Sequence, residues 1–358
     1  MNWIRRTFEI SHTAHKVIRP MEGIRGFAVF LVFLVHYMTL IQPWLLENSM
    51  TFQVVLYTHS IGNIGVDLFF VLSGYLIYGM LIQKHRPFKN YLLRRVQRIY
   101  PTFTVVFVIY LVLSFFFVSE SKIPSGWDRG LIFVLQNYLL MPGLFDVNAI
   151  ITVAWSLSYE FFYYLLMPVL ITVLSMRSWE AKYRIVFFLC ASLFFFTYFS
   201  LYGGPIRLLM FVSGILLYET IENKFIQGMP PLGLPALLIA ILSVVLLKTF
   251  DSNGWWGYVL LYMLFYVFCL ECFLSSGFTS RLFSVSPLRW LGNMSYSYYL
   301  LHGLVLKFIF MVLGYLYPAQ QSETMMLWIL LPPIFFLTLI PSSILFIYIE
   351  KPYSLVRK

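Results

Sequence analysis

GFAVFLVFLVHYMTLIQPWLL, residues 26–46, is an almost unbroken apolar run, and the segment before it carries Arg5, Arg6, Lys16, Arg19 and Arg25. A helix rises about 1.5 Å per residue, and about 20 apolar residues cross a hydrocarbon core about 30 Å thick. The run therefore predicts a membrane-spanning helix. The residues before it are polar and basic, and no small-residue cleavage site follows it, so no cleavable signal peptide is expected.

The same template predicts ten spans along the chain, at roughly 26–46, 62–82, 101–118, 151–174, 185–201, 205–220, 232–250, 255–274, 294–317 and 325–348. Leu131–Met141 is too short to span and reads as an interfacial or re-entrant piece. Composition agrees: of 358 residues 60% are hydrophobic and 11% charged, against about 45–50% and about 25% for soluble domains. Ordinary soluble enzyme folds and disorder are excluded. No internal repeat or low-complexity linker interrupts the chain. The expectation is one all-α domain over 1–358, a polytopic transmembrane helix bundle with a basic segment at 1–25. The chain stops ten residues after the last span, so no appended soluble domain is expected. Cys190, Cys269 and Cys272 lie in apolar runs. Cys269 and Cys272 have a C-x-x-C spacing that reads as a buried helix contact, with neither a disulfide framework nor a metal site.

Charge sets the direction. With the N-terminus inside, 20 Lys and Arg fall on inside segments and four outside, at Lys122, Arg129, Arg207 and Lys248. That asymmetry predicts cytoplasmic termini. The net charge of +10 then faces anionic lipid or a polyanionic cytoplasmic ligand. Nucleic acid is excluded, because the basic residues flank membrane helices and cover no polar domain.

Ionisable groups inside spans are costly and mark candidate sites. The chain has His36, Asp67, Glu160, His302 and Lys307, with Glu271 near a span end. Counting the helical rise from the span edges puts His36 about 15 Å deep, Glu160 about 14 Å and His302 about 12 Å, so all three can meet near the midplane. Arg25 and His36 are eleven residues apart. Eleven steps of about 100° bring them to one helix face, about 16 Å apart along it. A long ligand with an anionic head at Arg25 and a reactive tail at His36 fits that geometry. Arg94, Arg95 and Arg98 precede Pro101. By composition they read first as flanking charge, although guanidinium groups also suit phosphate. Asp67, about 5–8 Å inside the outer end of span two, reads as the cap of a broken helix or as a structural carboxylate. Gly62, Gly65, Ser73, Gly74 and Gly79 permit close helix approach. Glu160, Tyr163 and Tyr164 share a helix face, which makes them either the polar lining of a cavity or part of an aromatic belt.

Six segments, taken together, carry a resemblance. RPMEGIRGFAVFLVFLVHY (Arg19–Tyr37), GVDLFFVLSGYLI (Gly65–Ile77), RRVQRIYP (Arg94–Pro101), WSLSYEFFYYLLMP (Trp155–Pro168), LGNMSYSYYLLHGL (Leu291–Leu304) and IEKP (Ile349–Pro352) resemble, in order, the motifs of the acyltransferase-3 family of membrane acyltransferases. The resemblance implies an enzyme, usually of the bacterial inner membrane, that moves an acyl group from cytoplasmic acyl-CoA to a hydroxyl of a glycan or lipid-linked sugar. Acetyl-CoA is the first candidate co-substrate, and no permanently bound cofactor is implied. Carried over, His36 is the catalytic histidine and Arg25 its companion. Arg94, Arg95 and Arg98 stand at the acyl-CoA entrance, and Glu160 is a motif carboxylate placed with the catalytic set. Asp67, Ser73, Tyr163 and His302 support them. His36 is expected to act as general base, with Glu160 or Asp67 fixing its tautomer; a covalent acyl-histidine stays open. Two readings from other classes remain beside this one: a secondary transporter, and a non-catalytic partner in polysaccharide export.

Overall fold

The structure is a computed structural model that describes residues 2–10, 18–47, 49–250, 254–319 and 326–355. Lys16, Arg357 and Lys358, counted above with the basic face, lie outside these residues, as does the expected start of the tenth span at 325. The elements run α1 Asn2–Phe8, α2 Arg19–Ile41, α3 Met50–Gln83, α4 Phe88–Phe116, α5 Trp127–Tyr138, α6 Ala154–Val173 and α7 Ala181–Tyr202. They continue with α8 Leu209–Glu222, α9 Gly233–Thr249, α10 Trp256–Leu274, α11 Phe278–Leu282, α12 Ser286–Asn293, α13 Ser295–Leu316 and α14 Met326–Leu345. The last helix widens into a π-helix over Phe346–Leu355. No strand occurs among the described residues, so the chain is the expected all-α bundle.

Among the described residues eight helices are long and apolar enough to cross a membrane, two fewer than expected. The spans anticipated at 205–220 and 232–250 are the shorter helices α8, of 14 residues, and α9, of 17. The physical reason is clearest for α8. It begins only after Gly203, Gly204, Pro205 and a 3-10 turn at Ile206–Leu208. Every residue from Leu209 to Thr220 is then buried, so protein rather than lipid surrounds it. The anticipated interfacial piece is α5, 12 residues long, with Trp127, Leu131, Ile132 and Leu135 exposed.

Two glycine contacts set the centre. A Cβ on Gly74 would lie 2.0 Å from the Phe211 carbonyl oxygen, and one on Gly214 would lie 1.9 Å from that of Val71. Only glycine lets the backbones of α3 and α8 come so close. Arg207 pairs with Asp67 at one end of this contact and Glu219 with Tyr78 at the other, so α8 runs parallel to α3 and starts beside its middle. Helix α2 runs antiparallel to α3, with Gly62 against Leu31 and Val35 and Gly65 against Ala28.

The residues assigned to the basic side do gather at one end. Arg289 donates to Glu22 Oε2 at 2.7 Å, Asn293 to the Phe8 carbonyl, and Lys351 to the carbonyls of Arg6 and Thr7. Nearby, Arg184 holds both oxygens of Glu219, which also accepts from the Tyr78 hydroxyl. Lys307 belongs to the other end, where it pairs with Glu120 at 2.5 Å.

Candidate active site

Ser73, Arg95, Arg98, Glu160, Tyr164 and Arg25 converge on one cavity of about 150 Å³. Helices α2, α3, α4, α6 and α13 each supply part of its wall. One face of α4 provides Arg95, Arg98 and Ile99, and Pro101 follows inside the same helix. Arg94 is exposed and does not line the cavity.

The three guanidiniums differ in compensation. Arg98 Nη1 donates to Glu350 Oε1 at 2.8 Å. Glu350 is fully buried, and its other oxygen accepts from the Ser297 backbone N–H at 3.0 Å and the Ser297 hydroxyl at 2.6 Å. Among the described residues Arg25 reaches the Ser295 hydroxyl alone, at 3.1 Å. Arg95 lies over the rings of Tyr91 and Tyr164 and against Met80 Sδ, and its Nε is buried without a partner. Among the described residues neither Arg25 nor Arg95 forms an ion pair with a carboxylate. A partly buried guanidinium lacking an anion is poorly stabilised, so this cavity is suited to an anionic ligand.

Glu160 is the cavity's carboxylate. Its Oε1 accepts from the Tyr164 hydroxyl at 2.5 Å and from Ser73 at 3.4 Å. Tyr163 turns the other way: its hydroxyl donates to the Leu208 carbonyl and its ring stacks on Phe211 at 4.0 Å. The face shared by three residues in sequence is thus divided, with Tyr164 on the cavity and Tyr163 in helix packing.

The expected meeting of His36, Glu160 and His302 is realised for two of the three. The rings of His36 and His302 lie 5.1 Å apart. Glu160 sits with the arginines instead. The reason is that α6 starts at Ala154, already inside the protein, where Ile150, Ile151 and Val153 are buried. Counting from Ile151 as the membrane edge therefore underestimates the depth of Glu160. Asp67 is also deeper than expected. It is fully buried at the middle of the 34-residue α3, and Arg207 Nε approaches it at 3.4 Å. Arg207, counted in the sequence as an outer charge, also lies over Trp155 and Tyr258. The recessed start of α8 carries it inward, which a count of spans does not reveal.

The cavity ends short of His36. Its lining follows α3 from Ile77 to Val66 and α13 from Ser295 to Tyr299. Phe69 and Tyr299, ring to ring at 6.0 Å, stand at that end. His302 is one turn further along α13 and touches Tyr299 at 6.3 Å. Half-buried His36 faces His302 from α2.

A second cavity, about 580 Å³, is lined by Lys122, Asn148, Thr152 and Trp155 among others. It lies beyond the far end of α4 from Arg95 and Arg98. Lys122 bonds the Ala149 carbonyl and Thr152 across it. Trp155 lines this cavity while its neighbour Ser156 lines the first. The two cavities are therefore back to back across the first turn of α6. Neither Glu350 nor Arg207 was singled out from sequence. The IEKP segment was the signal available for Glu350, and its position past the last span gave no depth to act on.

Residues 19–349 match the acyltransferase domain family Acyl_transf_3. An uncharacterized protein of Haemophilus influenzae is 30% identical over 191 residues, covering 50% of this chain and 74% of its own length. A Staphylococcus aureus protein named O-acetyltransferase OatA is 27% identical over 326 residues, covering 81% of this chain and 50% of its own length. A putative O-acetyltransferase of S. aureus strain COL is 25% identical over 331 residues, covering 82% and 51%. The chain thus spans about half the length of the two S. aureus proteins. No solved structure matches. With the match running over nearly all of an all-α chain of apolar helices, and with the six motifs in order along it, the chain belongs to the acyltransferase-3 family of membrane acyltransferases.

Proposed function

We propose that the protein is an integral membrane O-acetyltransferase that takes its acyl group from cytoplasmic acyl-CoA, acetyl-CoA first, and passes it to a hydroxyl of a glycan or lipid-linked sugar. In this reading the basic end of the bundle and both termini face the cytoplasm of a bacterium, across its inner membrane. The observation that carries the proposal is the cavity in which Arg25 and Arg95 pair with no carboxylate among the described residues. The phosphates of CoA supply that negative charge through forked, charge-assisted hydrogen bonds. Arg98, already neutralised by Glu350, shapes the wall more than it attracts the ligand. Names of relatives that specify O-acetyl transfer support the acetyl group and the oxygen acceptor.

The pantetheine arm runs along the apolar wall of Leu72, Phe69 and Val66 toward the histidines, with Tyr299 and Phe69 moving aside. The acceptor comes from the second cavity, past Trp155. His36 takes the proton of the acceptor hydroxyl as the oxygen attacks the thioester carbonyl. Hydroxyls of Tyr299 and Ser156, bonded to each other at 2.6 Å, are donors within the same region for the developing oxyanion.

The test is thioester consumption by purified protein in lipid nanodiscs, given acetyl-CoA and membrane-derived glycan acceptors. Release of free CoA together with an acetyl mass gained by the glycan is expected. No CoA release with any acyl-CoA, by protein that is folded and binds none of them, overturns the reading.

A further inference from the structure

His302 has a fixed tautomer and an unused nitrogen. It is fully buried on α13. Its Nδ1 lies 2.8 Å from the Tyr298 carbonyl oxygen. A carbonyl only accepts, so Nδ1 carries the hydrogen, and Nε2 of the neutral ring is left as a bare acceptor. That Nε2 is buried and has no hydrogen-bond partner. The Tyr298 ring stacks on His302 at 5.3 Å and 7°, which holds the imidazole plane. An orphaned acceptor in a buried site is costly, and the neighbouring ring that can relieve it is His36, at a centroid distance of 5.1 Å. Two imidazole radii of about 1.2 Å and an N–H···N bond of about 2.9 Å come to nearly the same length. A turn of His36 about its broad terminal torsion completes the bond.

We propose that His302 is the positioning residue for His36. The Nε2 of His302 accepts the N–H of one His36 nitrogen, which fixes the other as the bare nitrogen facing the acceptor hydroxyl. The inference rests on the reading of His36 as general base and replaces the carboxylate expected to orient it. Glu160 bonds Tyr164 and Ser73, and Asp67 faces Arg207. The step balances without any further group. The acceptor O–H gives its proton to the free His36 nitrogen, the C–O bond forms, the C–S bond breaks, and the thiolate leaves and takes the proton back from His36. His302 stays neutral throughout and steadies the imidazolium through its lone pair. Histidine in this place orients the base without adding a buried negative charge beside the thiolate.

Three substitutions separate this role from simple packing. His302→Gln can place an amide oxygen near the lost Nε2 acceptor. His302→Asn keeps a donor toward the Tyr298 carbonyl but has no acceptor at that reach. His302→Phe keeps the stack and removes both. With protein that stays monodisperse in detergent, kcat should fall about 100-fold for Asn and Phe, the scale of a mis-set general base, and recover to within about 10-fold for Gln. The KM for acyl-CoA should not move in any of them. In a His36→Ala background, adding His302→Asn should cost nothing more, because the two act as a unit. Equal kcat for Gln and Asn, or a loss carried only in KM, overturns the proposal. If His36→Ala keeps full activity, the general-base reading fails first. If His36→Ala is inactive while His302→Asn has wild-type kcat, only the positioning role fails.

Discussion

Arg98 and Glu350, far apart in the chain, form an ion pair at 2.8 Å in which the carboxylate is fully buried and the guanidinium lines the arginine cavity. The pair ties α4 to the π-helix at the end of α14, and Ser297 brings in the start of α13 by donating twice to the same carboxylate. The C-terminal segment thereby stands behind the cavity wall and holds Arg98 and Ser297 in place from outside the lining.

Removing one partner of a buried pair leaves a stranded charge, which costs about 3–5 kcal/mol. Glu350→Ala should therefore lower the thermal midpoint of the purified protein markedly. Glu350→Gln, which can still accept from Ser297, should lower it less. Thermal unfolding in detergent measures both, and an unchanged midpoint for Glu350→Ala would show that the pair contributes nothing to the fold.

Arg95 and Arg94 are adjacent in sequence but differ in place, since Arg95 lines the cavity and Arg94 is exposed. Hydrogen bonds to charged groups contribute about 1.5–3 kcal/mol. Arg95→Ala should thus raise the acyl-CoA KM about 10- to 100-fold, and Arg94→Ala should leave it near wild type. Michaelis constants for the two variants decide the matter; equal effects would remove Arg95 from donor binding.

For His36→Ala the expected loss is at least about 100-fold in kcat, the usual reach of a general base, with normal insertion and binding of acyl-CoA. The measurement is CoA release beside a binding isotherm. Full turnover in this variant would end the general-base reading.

Tyr163 and Tyr164 offer a paired control. Tyr164→Phe removes the donor that holds Glu160 at 2.5 Å and should reduce acyl transfer. Tyr163→Phe removes a bond to the Leu208 carbonyl and should cost about 1 kcal/mol of stability without altering kcat. Activity and melting curves of the two variants, read together, show whether the division of this helix face is real.

Close backbone contact at Gly214 leaves no room for a side chain. A leucine there would drive its Cβ into the Val71 carbonyl, 1.9 Å away. Because backbone cannot yield as a flexible side chain would, Gly214→Leu should cost more than the about 1–3 kcal/mol typical of overpacking. Loss of monodisperse protein on gel filtration is the expected result.

The sequence made some of this legible and not the rest, for identifiable reasons. Apolar runs and their basic flanks reveal the bundle because lipid imposes a minimum length on each span. The nearness of His36 and His302 followed from counting turns along α2 and α13, both of which start near the basic end. The same count misplaced Asp67 and Glu160, because α3 begins well before its apolar stretch and α6 begins inside the protein. Spacings of three and four put Tyr163 and Tyr164 on the face of Glu160, but neighbours on a helix point about 100° apart. Which of them meets the cavity depends on where α8 lies. Arg207 was hidden by a helix that starts midway, a feature no hydropathy pattern marks.

The thin partition at Trp155 and Ser156, with Phe70 and Tyr299 beside it, sets a limit on how the protein can operate. The two cavities approach each other there, so in the proposed reading this short group of rings is also the electrical insulation of the bilayer. In the proposed reading, any motion that admits a thioester must not leave a wire of water behind it, or a proton gradient across that membrane would drain through every working copy. Bulky aromatic residues that close around a narrow chain and fall back together behind it meet that requirement, whereas small residues at the same positions would turn a transferase into a leak.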